Sequence, residues 1–394
     1  MKLLISIVYL LLFGLFMLNI NSDKVPKSTN KIYGVWIAAP RHTSIFDSYN
    51  NLKNGIEKLS ENGINTIFLC AWADQKTIFK SEVLLKHSNY TQLEQTHFFE
   101  NYNYHSMTED PVRDLIDLAH DKKMKVFFWF EYGFMARWGS EPTPENDPLL
   151  AKQPHWKGIG NDGKGSNYNG TDFYYNAYHP EVQQFMIDLV SESIDLYSDI
   201  DGIQGDDRLP ASPANSGYDS WTISNFMKSH DGIKPPIDFY DPEWFSWRID
   251  ILNSFINRLY HSIKIKGDYV VASSPNIYPW ALQNLMQDWP NWLRQNNIEL
   301  FNVQCYRSTF KDYKIAIDEM LTYSDGLIDR ENISPGIILG IASRKIANPE
   351  SLDSILKYNS YLNLGGQSYF YNKWITEDNS FNWIMKKFQL DHLN

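Results

Sequence analysis

Two carboxyl-bearing segments carry most of the chemistry that this chain could perform. Asp201-Gly202-Ile203-Gln204-Gly205-Asp206-Asp207-Arg208 ends a short β-rich run in two adjacent acids and a base. In KVFFWFEY (125–132), Glu131 follows an unbroken apolar stretch. A carboxyl group in that position loses water, so its pKa rises and it stays protonated near neutrality. Such an acid can give a proton to a leaving oxygen. A second carboxylate acting as nucleophile or base completes the pair that cleavage of a glycosidic bond requires. On this reading Asp206 is the nucleophile or base, Glu131 the general acid, and Asp207 an accessory carboxylate. The competing reading makes Asp206 and Asp207 anchors of the next loop. Glu131 is then half of a buried ion pair with Arg41, Arg137, Arg208 or Arg307.

Other residues suit a sugar. In FNVQCYR (301–307), Val303 and Cys305 share one parity, while Asn302, Gln304 and Tyr306 share the other. Amides and a phenol pair well with hydroxyls, and Gln204, Asn276 and Arg307 join them as candidate substrate-binding groups. Trp36, Trp72 and Trp129 lie near strand ends, with Tyr132, Trp138 and Trp156 in the loops beyond, where rings can stack on the apolar faces of sugars. Each aromatic also has an ordinary reading as core. No GxSxG elbow or HExxH motif occurs. The ten histidines are scattered and read as surface or loop residues, so neither a metal nor a cofactor is expected.

Positioning these groups requires a scaffold, and the pattern supplies one. Eight β-rich runs (32–39, 65–72, 125–132, 201–207, 269–278, 300–307, 336–343 and 365–372) alternate with helical patterns at 48–62, 110–122, 180–197, 219–230, 241–265, 281–296, 308–324, 349–361 and 379–390. Asp110-Pro111, Asn348-Pro349 and His179-Pro180 mark helix starts, a cap followed by proline in the first turn. Alternation of this kind implies parallel βαβ units. The fold class is therefore α/β, one closed (β/α)₈ TIM barrel over 32–394 with long insertions after strands 2, 3 and 4. A doubly wound sheet would carry a glycine-rich loop after its first strand, where this chain has Ala38-Ala39-Pro40-Arg41. Barrel sites are built at the C-terminal ends of the strands, where Glu131 and Asp206 fall. Strand alternation turns Gln204 and Asp206 inward and points Asp207 away from the axis.

Composition narrows the partner. The net charge is −11, which disfavours nucleic acid and an anionic membrane face and leaves a neutral or zwitterionic glycan. Lys2, the apolar run Leu3–Leu18 and a small residue at Ser22 make residues 1–22 a signal peptide, with an uncleaved membrane anchor as the alternative. The run falls short of the roughly 20 residues of a comfortable span. Residues 23–31 form a polar linker, and the body is expected to be exported to the periplasm, cell surface or medium. Cys70 and Cys305 fall on strands 2 and 6, on opposite sides of a barrel and out of bridging range. The oligomeric state is not legible.

With these segments in order, the chain resembles the family-10-like glycosyl hydrolases, a bacterial group related to peptidoglycan glycosidases. GVWIA (34–38), DPVRDLIDLAHDKKMKVFFWFEYGFMA (110–136), the stretch 179–210 ending in DGIQGDDRLP, SSPNIYPW (273–280), LFNVQCYR (300–307) and GGQSYFYN (365–372) carry the resemblance. It implies a (β/α)₈ barrel, export and cleavage of a cell-wall or other bacterial glycan, with Asp206, Asp207 and Glu131 at the matching site positions. Chitinase-like barrels end strand 4 in a glutamate where this chain has Arg208, and amylase-like barrels carry a strand 5 glutamate where it has Ser274-Pro275-Asn276. A non-catalytic glycan-binding barrel with the same cleft is the alternative.

Overall fold

The computed structural model describes residues 31–390 apart from 101, 103, 342 and 343. The signal segment and all of the linker but Lys31 lie outside the described residues, as do two residues of the seventh strand run. The eight expected strands form, each shorter than its apolar run. They are β1 Ile32–Ile37, β2 Thr66–Cys70, β3 Lys125–Phe130, β4 Gly202–Gly205, β5 Val270–Ser273, β6 Leu300–Phe301, β7 Gly336–Ile338 and β8 Gly366–Phe370. All pairings are parallel, in the order β6-β5-β4-β3-β2-β1-β8-β7. Bridges from Phe301 to Ile333 and from Gln304 to Gly336 join the two edges and close the barrel.

Helices α1 Tyr49–Glu61, α2 Pro111–Asp121, α3 Pro180–Leu196, α4 Ser220–Ser229, α5 Pro242–Lys266, α6 Trp280–Leu285, α7 Trp289–Arg294, α8 Phe310–Ser324, α9 Pro349–Tyr361 and α10 Asn382–Leu390 accompany the strands. The expected starts are capped. Asp110 accepts from the amides of Val112 and Arg113, His179 from Glu181, and Asn348 from Ser351. The continuous helix expected over 281–296 is instead two short ones, α6 and α7. Met286 takes a left-handed φ of 56° at the end of α6, and Pro290, which has no N–H, fits only the first turn of α7. Among the described residues, no helix is long and apolar enough to cross a membrane.

Two apolar layers hold the strands. Val126, Phe128, Ile203 and Val271 face the helices, with Phe128 edge-on to Tyr197 at 5.6 Å. The barrel interior is aromatic, with Trp36 stacked on Phe68 at 5.4 Å and flanked by Trp129, Tyr306 and Phe370. The segment after β2 begins with a hairpin (Trp72–Ala73 with Lys76–Thr77), and that after β3 contains a three-stranded antiparallel sheet built from Met135–Trp138, Asn167–Tyr168 and Asp172–Tyr174. The segment after β4 includes α4 and is pinned by Arg248, whose buried guanidinium donates to the carbonyls of Ala214 (2.6 Å), Ser216 (2.7 Å) and Phe239.

Candidate active site

Sheet register brings the two carboxyl segments together. Trp129 pairs with Gln204, and Phe130 with Gly205. Glu131 and Asp206 are the next residues on neighbouring strand ends, which puts their backbones roughly 5 Å apart. Asp206 is only 2% exposed. Its Oδ1 accepts from Gln304 Nε2 at 2.7 Å and its Oδ2 from Arg208 Nη1 at 3.3 Å. Burial, then the neighbouring charge of Asp207, pushes the Asp206 carboxyl well above the usual range, while Arg208 pulls the other way.

Asp207 is placed differently from the alternation argument. Its Oδ1 accepts from Arg208 Nη1 at 2.9 Å and its Oδ2 from Asn276 Nδ2 at 3.0 Å, so it turns toward the end of β5 above the barrel mouth. The physical reason is that β4 ends at Gly205 and the chain enters a turn at Asp207, where strand alternation no longer holds. Arg208 thus joins both acids and approaches Asp172 in the preceding insert at 3.9 Å.

Glu131 is partly buried, and desolvation raises its pKa. Arg208 and Arg41 oppose the shift, but no direct ion pair forms between Glu131 and an arginine among the described residues. Its hydrogen-bond partner is Cys70, whose Sγ donates to Oε2 at 3.3 Å. Just beyond, Gly133 has φ +46° and lies so close to the Arg208 carbonyl that a Cβ would overlap it. The Phe134 amide donates to that carbonyl at 3.0 Å, and the Gly133 carbonyl accepts from Trp72 Nε1 at 3.0 Å. The loops after β2, β3 and β4 are therefore tied together.

Beneath the acids lies a polar floor. Trp36 Nε1 donates to Gln204 Oε1 at 2.8 Å, Gln204 Nε2 to Asn302 Oδ1 at 2.9 Å, and Asn302 Nδ2 to the Ser334 carbonyl at 2.9 Å. Gln204 thus faces inward, as alternation requires. Gln304, Tyr306 and Asn276 are partly exposed around the mouth. Arg307 is also partly exposed, and its Nη1 donates to the Tyr306 carbonyl at 2.9 Å. Tyr132 is nearly buried, with Arg208 Cζ 5.9 Å from its ring centre.

Four expected sugar platforms are not surfaces at all, Trp156 among them, buried against His87 and Phe185. Trp36 and Trp129 are buried inside the barrel, and Trp72 is buried against Phe185 of α3 at 5.8 Å. Enclosed by neighbouring rings and almost without solvent exposure, these tryptophans are core. Of the aromatic candidates near the mouth, Trp138 is exposed, 65% open to solvent. It lines a cavity of about 480 Å³ with Arg41, His42, Asp74, Gln75, Tyr132 and Arg137. Arg41 pairs there with Asp74. Neither Asp74, which stands in no motif, nor Cys70, a thiol within an apolar strand, is marked in the sequence as a neighbour of the acids. The adjacency of Arg208 to two acids was the available signal for its role.

Residues 31–357 match the family model described as Glycosyl hydrolase-like 10. The chain is 28% identical over 229 residues to "Glycosyl hydrolase DigH" of Escherichia coli (strain K12), an alignment covering 56% of this chain and 46% of that protein. The relative of the same name from strain CFT073 is 26% identical over the same length. The chain thus spans about half the length of the curated relatives it matches. Among solved structures, the PgaB (BpsB) glycoside hydrolase domain from Bordetella bronchiseptica superposes with a TM-score of 0.59 at 13% identity, covering 91% of this chain and 99% of that one. The catalytic domain of a beta-amylase from Paenibacillus polymyxa gives 0.59 at 9% identity, covering 92% and 98%. These likenesses establish the barrel fold.

Proposed function

The chain belongs to the Glycosyl hydrolase-like 10 family, and from that premise we propose that it cleaves glycosidic bonds in a bacterial cell-wall glycan or related polysaccharide outside the cytoplasm. The observation that carries the reading is the register-matched pair, Glu131 beside Asp206, at the C-terminal mouth of the barrel. Glu131, whose pKa desolvation raises against the pull of Arg208, gives its proton to the leaving oxygen. Asp206 serves as nucleophile or base in its ionised form, which Gln304 and Arg208 favour against the burial and the Asp207 charge that raise its pKa. Asp207 is the second candidate for that role, because its side chain is 15% exposed against 3% for Asp206 and so meets solvent more readily. Asn276, Gln304 and Tyr306 supply polar contacts, and Trp138 offers a stacking face. Export rests on residues 1–22 acting as a cleaved signal peptide.

The test incubates the purified protein and its Glu131→Gln, Asp206→Asn and Asp207→Asn variants with bacterial glycan strands and common polysaccharides, and measures new reducing ends. Loss of cleavage in Glu131→Gln and in one aspartate variant, with glycan binding retained, supports the assignment and chooses between the aspartates. Full activity in Glu131→Gln, or in both aspartate variants, refutes it. Saturable binding by the wild type with no reducing ends released on any substrate would make the barrel a glycan-binding protein.

A further inference from the structure

Folding gathers two of the scattered histidines at a place apart from the carboxylate pair. His155 comes from the insert after β3, and His179 and Glu181 from the start of α3. One donor atom from each lies within 4.8 Å of the others. His155 Nε2 is 2.8 Å from Glu181 Oε2, and Trp156 Nε1 donates to that same oxygen at 3.1 Å. His179 is buried, its ring centre 5.2 Å from that of His155 and 4.8 Å from that of Trp221. His155 and Glu181 are exposed.

We propose that His155, His179 and Glu181 form a zinc-binding site. Two imidazoles and one carboxylate are a donor set that zinc accepts at about 2.0–2.2 Å per bond, with a water in the fourth position. Tetrahedral bonds of that length hold donors roughly 3.3 Å apart. The present spacing reaches it by rotation of His155 and Glu181, whose exposed side chains have room to turn, while His179 stays fixed by packing. The Trp156 N–H is placed to hold the ligating carboxylate from outside the coordination sphere, as such sites require.

Two effects oppose the metal. A helix N-terminus carries a partial positive charge, which the Glu181 carboxylate offsets locally. His179 Nδ1 also accepts the Glu181 amide at 3.3 Å. Ligation through either ring nitrogen ends that hydrogen bond: through Nδ1 because its lone pair is used, and through Nε2 because the ring proton then sits on Nδ1. The bond is long, and amides of the first helical turn, which have no partner within the helix, can be satisfied by water instead. A bound ion would fasten the insert that forms one wall of the mouth to the helix following β3. The site stands whether or not the barrel cleaves glycans.

Isothermal titration of zinc chloride into chelator-stripped full-length protein tests the proposal, with His155→Ala and Glu181→Gln in parallel. Both substitutions fall on exposed side chains, and far-UV circular dichroism confirms their folding. One equivalent is expected to bind the wild type, with each variant at least 10-fold weaker. Zinc should also raise the thermal midpoint of the wild type but not that of His155→Ala. Absence of stoichiometric binding to the wild type overturns the site, as does binding of undiminished affinity in His155→Ala.

Discussion

Replacing Arg208 with methionine removes the cation that joins the two acids of the β4 loop while keeping much of its apolar stem. The guanidinium stands 2.9 Å from Asp207 and 3.3 Å from Asp206, and its side chain is 22% exposed against 3% for Asp206. Breaking a buried pair leaves a charge without compensation, at a cost of about 3–5 kcal/mol. Loss of the contact with the Tyr132 ring adds about 0.5–1 kcal/mol. The total depends on pH. Asp206 already titrates above its ordinary value, and without Arg208 it moves higher. A carboxyl whose folded pKa exceeds its unfolded value destabilises the fold fully above the folded value. The penalty fades as pH falls toward the unfolded value near about 3.9. Urea unfolding followed by tryptophan fluorescence, with wild type and Arg208→Met compared at pH 8 and pH 4.5, should give a loss of about 3.5–6 kcal/mol at the higher pH. At the lower pH it should shrink toward about 1 kcal/mol. A loss below about 1 kcal/mol at pH 8, or one equal at both pH values, would refute the argument that Arg208 holds the two charges in the fold.

Three further outcomes follow from the same geometry. Cys70→Ala removes a hydrogen bond that favours ionised Glu131, so the alkaline limb of the pH–rate profile should move to higher pH with the fold intact; a limb that stays put or moves down contradicts the acid assignment. Gln304→Ala strips the 2.7 Å hydrogen bond from Asp206 Oδ1, which should move the acid limb upward and lower kcat/KM below neutrality by about 10-fold; an unchanged profile would point to Asp207 instead. Trp138→Ala should leave urea stability within about 0.5 kcal/mol, since the ring is exposed, yet raise KM for glycan severalfold; an unchanged KM would exclude this ring from the substrate path.

The scaffold was legible because its signals are local. Alternation in Asp201–Asp207 is enough to turn Gln204 into the barrel, and the capping side chains Asp110, His179 and Asn348 announce their helices. What failed depends on neighbours that sequence does not name. Asp207 escaped because the strand stops before it, and the helix expected over 281–296 breaks at a left-handed Met286. Trp36 and Trp129 looked like sugar platforms because position at a strand end does not reveal that Phe68, Tyr306 and Phe370 pack against them. The Cys70–Glu131 contact requires the β2–β3 register, in which Cys70 pairs with Trp129. The cysteines themselves are buried and unpaired, as their strands led one to expect.

Gly133 has a bearing on how such a barrel can diversify. Its backbone lies against Arg208, and hydrogen bonds from Trp72 and Phe134 secure the crossing on both sides. Glu131 and Asp206 therefore ride on a single buckle, while most of the segments after β2, β3 and β4 lies beyond it. Inserts could be lengthened, shortened or exchanged outside the buckle without altering the spacing between the two carboxyl groups. An engineer seeking new specificity would graft at the far ends of those loops and leave Trp72, Gly133 and Arg208 untouched.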